Sequence, residues 1–211
     1  MVTQVSNNQI EQTKLVLIKS VYLYPHESLD MRKLRCLEKE LSYRKELLCK
    51  PLVYKKSNEK YIILDGHHRI ACLKNLGSNH IICEVVKKEQ ISFSYWNHIV
   101  YEEDFLEFLY NNSKIYVSRF EKNDFILEII NRNIRYYIYS VRKRNDREKQ
   151  LLVDSLINYY LLSGNYNKIP CYEDETNCNE TIVIFKKIEL DEILEGRKGL
   201  CSSGSTRFQI K

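Results

Sequence analysis

The sequence predicts an α+β protein of two interlocked lobes. Short apolar runs with strand character, such as Tyr61-Ile62-Ile63-Leu64 and Ile81 to Val86, alternate with helical patterns such as Leu34, Leu37, Leu41 and Leu48. Residues 60–86 read strand–turn–helix–strand, a compact βαβ-like unit. The 211 residues suit one large domain or two small ones, and 44% hydrophobic with 29% charged residues is ordinary for a soluble globular chain. Only 6 Gly and 3 Pro are present, against roughly 14 and 10 at average usage. Each glycine is therefore expected at a backbone position that needs it.

Residues 1–13 are polar and read as a flexible lead-in. Lys14 to Tyr24 is rich in Leu, Val, Ile and Tyr, which predicts one strand, broken by Pro25. Ser28 and Asp30 are candidate N-caps for a helix over 30–48, and Pro51 ends it. Leu52-Val53-Tyr54 and Tyr61 to Leu64 flank a polar turn and predict a hairpin. Asp65-Gly66 follows at once. Ile70, Leu73 and Leu76 give one helical face, with Gly77 as its C-terminal cap. Beyond that, Tyr101 to Tyr110 predicts a helix, Lys114 to Phe120 a strand, Asn123 to Asn131 a helix and Arg135 to Val141 a strand. Arg147 to Leu162 is an amphipathic helix closed by Gly164, Thr181 to Lys187 a strand, and Leu190 to Leu194 a short helix before a glycine-containing loop. The boundary between lobes is expected in 88–100.

A net charge of +5 does not demand a nucleic-acid partner. The densest basic run, Arg142 to Arg147, is interrupted and followed by acidic residues and reads as a solvated turn. The seven cysteines form no C-x-x-C pair, and Cys72 and Cys83 lie in apolar patterns, which predicts reduced, buried thiols and a cytoplasmic setting. No apolar run approaches the roughly 18 residues of a membrane span, so no membrane partner is expected.

Chemistry concentrates in Leu64-Asp65-Gly66-His67-His68-Arg69. A helix N-terminus offers free N–H groups and partial positive charge to phosphate. Gly66 allows close backbone approach, and Arg69 has a fork that suits phosphate oxygens. His67 and His68 can donate to phosphate or move protons, and Asp65 is the candidate ligand for a divalent metal. Neither a Walker-type phosphate loop nor a G-x-G-x-x-G occurs.

Asp65-Gly66-His67-His68-Arg69, with Ile70 to Gly77 after it, resembles the phosphate-binding motif of the ParB/sulfiredoxin fold, and within it the free L-serine kinases. The residue after Gly66 is His67, where sulfiredoxins carry their nucleophilic cysteine. Three further segments match in order: Pro25-His26-Glu27, Ile91 to His98 with the single Trp96, and Gly199 to Phe208 with Thr206-Arg207. The resemblance implies a ParB/sulfiredoxin-like nucleotide-phosphate lobe (14–95) packed on a mixed α/β substrate lobe (96–211), with the site in the cleft between them. It implies transfer of the terminal phosphate of ATP or ADP, with Mg²⁺, to the hydroxyl of free L-serine. Glu27 takes the role of base; Asp65, Gly66, His67, His68 and Arg69 hold phosphates and metal; Trp96, Thr206 and Arg207 hold the amino acid. His98 is expected near the same pocket. Two departures stand out: Phe208 replaces the usual His of the closing segment, and Cys201 stands where Pro is common. The rival readings are a ParB-like DNA-associated nucleotide-binding protein, a ParB-fold nuclease with Asp65, His67 and His68 on a metal, and a non-catalytic serine or nucleotide sensor.

Overall fold

The computed structural model describes residues 13–44, 49–171, 180–196 and 201–211. The lead-in up to residue 12, the end of the helix expected to reach 48, and Gly199 lie outside the described residues. Among the described residues, two sheets and five α-helices give the α+β organisation that the sequence predicts.

The N-terminal sheet begins with a difference. Lys14 to Tyr24 is not one strand: Lys14–Lys19 (β1) and Leu23–Pro25 (β2) are separated by a 3₁₀ turn at Ser20–Tyr22. The Ser20 N–H donates to Asn79 O at 2.9 Å. The apolar run conceals the break because its two halves serve opposite edges of the sheet. β1 pairs antiparallel with His80–Val86 (β5) at one edge, and β2 pairs parallel with Lys60–Asp65 (β4) at the other. Leu52–Ser57 (β3) lies between β5 and β4.

β4 is buried on both faces, which explains its unbroken apolar sequence. Tyr61 and Ile63 pack with Ile18, Val53, Ile70 and Cys83, while Ile62 and Leu64 pack with Val86, Ile91, Ile193 and Leu194. Full burial of such a side chain contributes roughly 1.5–3 kcal/mol. The first set lies with the helix His67–Asn75 (α2), whose Cys72 meets Leu34 and Leu41 of Met31–Arg44 (α1). The second set joins the two lobes.

Ile91–Val100 (β6) is a ten-residue strand that runs unbroken through the expected boundary region. Its first half pairs with Thr206–Ile210 (β12), and its second half pairs with Tyr166–Pro170 (β10) and Thr181–Ile184 (β11). Neither β10 nor β12 is evident in the sequence pattern. The sheet continues through Leu127–Asn131 (β8), Ile134–Ser140 (β9) and Ile115–Ser118 (β7). Phe105–Tyr110 (α3) and Asp146–Ser163 (α4) complete that core, with Phe105, Leu109, Leu127, Ile129, Ile138 and Tyr160 fully buried. Leu190–Leu194 (α5) packs at the junction of the lobes.

A second difference concerns β8, which falls within the Asn123 to Asn131 segment expected to be a helix. Here Leu127 and Ile129 face the core while Ile126 and Ile130 are also buried, so period-2 alternation is erased. The hairpin to β9 turns through Arg132 and Asn133, both at positive φ (48° and 63°), the twist that a two-residue hairpin requires.

α4 starts as its sequence dictates. Asn145 Oδ1 accepts the Glu148 N–H at 2.9 Å, and Glu148 Oε2 accepts the Asn145 N–H at 2.9 Å. Asn145→Ala is expected to lower stability by about 1 kcal/mol, read as a shift of the urea midpoint.

Candidate active site

The turn from β4 into α2 sets the first wall. Gly66 has φ +90°, and a Cβ there would stand 3.1 Å from Pro51 Cα and from the Arg69 guanidinium. No side chain caps α2, so its first N–H groups are open to an anion. Asp65 is 65% exposed at the end of β4 and pairs with Arg69. Arg69 Nη1 also donates to the carbonyls of Cys49 (2.7 Å) and Lys50 (3.2 Å), so this side chain clamps the segment that leads into β3. His68 Nε2 accepts the Asp30 N–H at 2.9 Å, which places the proton of the neutral ring on Nδ1. The Asp30 carboxylate in turn caps α1 by accepting from Arg32 N (2.9 Å) and Lys33 N (3.2 Å).

Glu27 supplies the second wall. It follows β2 and forms a parallel bridge with Cys201. Its side chain is only 10% exposed. Oε1 accepts the N–H groups of Gly204 and Ser205, and Thr206 Oγ1 lies 3.2 Å from Oε2. Burial pushes the Glu27 carboxyl up to about 8, against the opposing pull of Lys168, Thr206 and Ser205. Lys168 of β10 is the charge opposite it; burial lowers the ammonium and the Glu27 charge works the other way. The Lys168 side chain lies directly over Gly204, whose φ of +73° and lack of Cβ leave it room.

The tail forms the third wall. The Trp96 N–H donates to Ser205 O at 3.0 Å, and the Arg207 guanidinium stacks 4.6 Å from the Trp96 ring. His98 is not in the cavity. It is fully buried behind the tail, with Nε2 donating to Gly204 O (3.3 Å) and Nδ1 accepting from Tyr160 Oη (3.0 Å).

These walls enclose a cavity of about 560 Å³ lined by Glu27, Lys33, Asp65 to Arg69, Trp96, Lys168, Thr206 and Arg207. Of the residues that the sequence reading places at the site, all but His98 border it. Lys168 and Lys33 were not singled out. Lys168 sits in Tyr166-Asn167-Lys168-Ile169-Pro170, which carries no motif, and strand pairing alone brings it here. A smaller cavity of about 350 Å³ behind the tail is lined by Tyr95, Phe125, Val153, Cys201, Ser202 and Ser205, and by none of the residues assigned a site role.

His26, Glu27 and His67 place ligand-type atoms within 4.8 Å of one another. They do not suit a metal. His26 Nδ1 donates to Ile63 O at 2.6 Å and its Nε2 faces Thr206 Oγ1 at 3.2 Å, so neither nitrogen is open. Burial lowers the imidazoles of His26 to about 4 and His98 to about 3, and that of His67 well below its ordinary value. Unfolded histidines titrate near 6.5. Below that pH the unfolded state binds more protons, so each of the three removes stability as pH falls. His68, also lowered by burial, adds to this, while Glu27 and Asp154, raised in the fold by burial, work in the opposite sense above the unfolded carboxyl value, two groups against four. Thermal midpoints are therefore expected to fall between pH 6.5 and 4.5; a midpoint that rises over that range contradicts the assignment.

No family model matches the sequence, and no curated protein matches it. Solved structures match almost the whole chain. A free serine kinase in complex with AMP is 18% identical with a TM-score of 0.75, covering 95% of this chain and 89% of that one. The chain has the fold of the free serine kinases. A variant of such a kinase in complex with ADP aligns at 18% identity and a TM-score of 0.73, over 95% of this chain and 89% of that one. A conserved hypothetical protein from Pyrococcus furiosus gives 19% and 0.74, over 95% and 92%. C-terminally truncated SbnI from Staphylococcus aureus gives 18% and 0.66, over 93% and 83%.

Both departures from the free serine kinase pattern have a structural reading. Phe208 packs edge-on against His26 (5.4 Å between ring centres) and tilted against Phe93 (4.9 Å), so it closes the wall instead of contacting the cavity with a polar ring. The Cys201 N–H donates to His26 O at 3.3 Å, a bond that a proline there has no proton to make.

Proposed function

We propose that the protein is a nucleotide-dependent kinase that phosphorylates the hydroxyl of free L-serine. The observation that carries this reading is the placement of Glu27. A carboxyl tuned upward by burial faces, across one cavity, an uncapped helix N-terminus and the cation Lys168. A base near operating pH, a phosphate cradle and a compensating cation are what an in-line transfer to an alcohol needs. The fold shared with structures solved in complex with AMP and ADP supports it.

In this reading the α2 N-terminus, Gly66 and His68 hold the phosphates, and Arg69 fixes the loop beneath them. Arg207, stacked on Trp96, takes the amino-acid carboxylate. Glu27 accepts the hydroxyl proton as the serine oxygen bonds to phosphorus and the bond to the nucleotide oxygen breaks. Asp65, an exposed carboxylate beside the phosphate cradle, fits Mg²⁺, which keeps several waters and commonly needs only one or two carboxylates besides phosphate oxygens. The ion would neutralise phosphate charge when bound. No helix among the described residues is long and apolar enough to cross a membrane.

The test is direct. Purified protein is incubated with L-serine, Mg²⁺ and either ATP or ADP, and phosphoserine is sought by mass spectrometry. Product with at least one nucleotide is expected; none with either overturns the proposal.

A further inference from the structure

The hydrogen bonds behind Glu27 do not balance in the resting site. His26 is fully buried; its Nδ1 faces His67 Nε2 at 3.2 Å and lies only 2.6 Å from Ile63 O, which can only accept. That distance requires a proton on Nδ1, which leaves Nε2 as a lone-pair acceptor. Nε2 faces Thr206 Oγ1 at 3.2 Å, and the same hydroxyl oxygen lies 3.2 Å from Glu27 Oε2. The hydroxyl has one proton and two acceptors. With Glu27 ionised, one of the two goes unserved. With Glu27 protonated, the carboxyl donates to Thr206 Oγ1, Thr206 donates to His26 Nε2, and His26 donates to Ile63 O, so each group has its partner.

We propose that Thr206 and His26 form a hydrogen-bond chain that is complete only when Glu27 carries a proton: His26 Nε2 competes for the Thr206 hydroxyl proton that would otherwise serve the carboxylate, and so adds to burial in favouring the proton on Glu27. Thr206 and His26 are positioning residues in this scheme. The proton taken from the substrate hydroxyl stays on Glu27 Oε2, and the chain orients it without passing it on. Oε1 is already occupied by the Gly204 and Ser205 N–H groups, which directs the proton to Oε2. The other groups that face Glu27 are Lys168 from β10, Asp65 from β4, His67 Nδ1 from α2 at 3.7 Å, and the buried Cys201 thiol. Lys168 opposes protonation and Asp65 favours it; His67 is the one of these groups that also touches the chain, with Nε2 3.2 Å from His26 Nδ1. Phe208 packs edge-on against the His26 ring, which is fully buried.

The inference rests on the kinase reading for its catalytic meaning, but its test does not depend on turnover. The decisive variant is His26→Asn, whose side-chain amide can still donate to Ile63 O and has no acceptor at the Nε2 position. The Thr206 hydroxyl is then released to donate to the Glu27 carboxylate. The Glu27 titration, followed by carboxyl ¹³C NMR with Glu27→Gln for assignment, is expected to move down by roughly one pH unit. In active protein the acid limb of kcat/KM follows it. In a Thr206→Val background the same His26→Asn change is expected to shift nothing further, whereas Thr206→Ser is expected to keep the wild-type titration. ¹⁵N NMR of the His26 ring is expected to show the proton on Nδ1. An unmoved titration in His26→Asn, an equal shift in the Thr206→Val background, or a proton on Nε2 overturns the chain. Absence of phosphoserine formation with intact titrations overturns only the kinase reading.

Discussion

Glu27→Gln is expected to lower phosphoserine formation by roughly two to four orders of magnitude. The substitution is close to isosteric. Its amide oxygen can still accept the Gly204 and Ser205 N–H groups that anchor the tail, so the walls of the cavity are retained. The amide cannot take the hydroxyl proton. Nucleotide affinity, measured by calorimetry, is expected to change little, because the α2 N-terminus and His68 are untouched. The loss therefore falls on kcat. An unchanged rate would remove Glu27 from the role of base.

Lys168→Met is the second large effect. The thioether keeps the packing over Gly204 and removes the cation. If Lys168 neutralises the phosphoryl group in transit, kcat falls by roughly 10²–10³-fold, the scale seen when one preorganised electrostatic donor is lost. The pH dependence distinguishes this from simple disruption. Lys168 favours the ionised form of Glu27, so its removal raises the Glu27 value further. The acid limb of kcat/KM is expected to move to higher pH, opposite in direction to the shift expected for His26→Asn. A rate loss with no such movement places Lys168 away from Glu27 in the working enzyme.

Much of the site was legible because it follows one short run. Asp65 to Arg69 sit on a strand end and the first turn of a helix, and local pattern alone predicts both. Glu27 was reachable only through resemblance, since an exposed-looking Pro-His-Glu loop does not announce a buried carboxyl. Lys168 was not reachable. Its strand, β10, exists because β6 offers a partner edge, and non-local pairing leaves no periodicity in a five-residue segment. β12 leaves no periodicity for the same reason, so the tail reads as a loop. β8 was misread because burial on both faces imitates helical spacing. The positive-φ glycines did carry information. Gly66 and Gly204 both border the one cavity, each at positive φ, where a side chain would crowd Arg69 and overlap Lys168 respectively.

The continuity of β6 limits how this cavity can operate. A hinge between lobes needs a few residues free to absorb backbone rotation. At Tyr95 and Trp96 the backbone is held from both sides, with Trp96 N–H on Ser205 O and Tyr95 O on the Cys171 N–H. Rotation there would break ladder bonds to β10 and β12 at once. The two lobes are thus spliced along a common rail, and reactants must be brought into register by side-chain movement and not by jaw-like closure. A protein built this way spends its ordering cost during folding, before any ligand arrives, and small-angle scattering with and without nucleotide should give superimposable profiles.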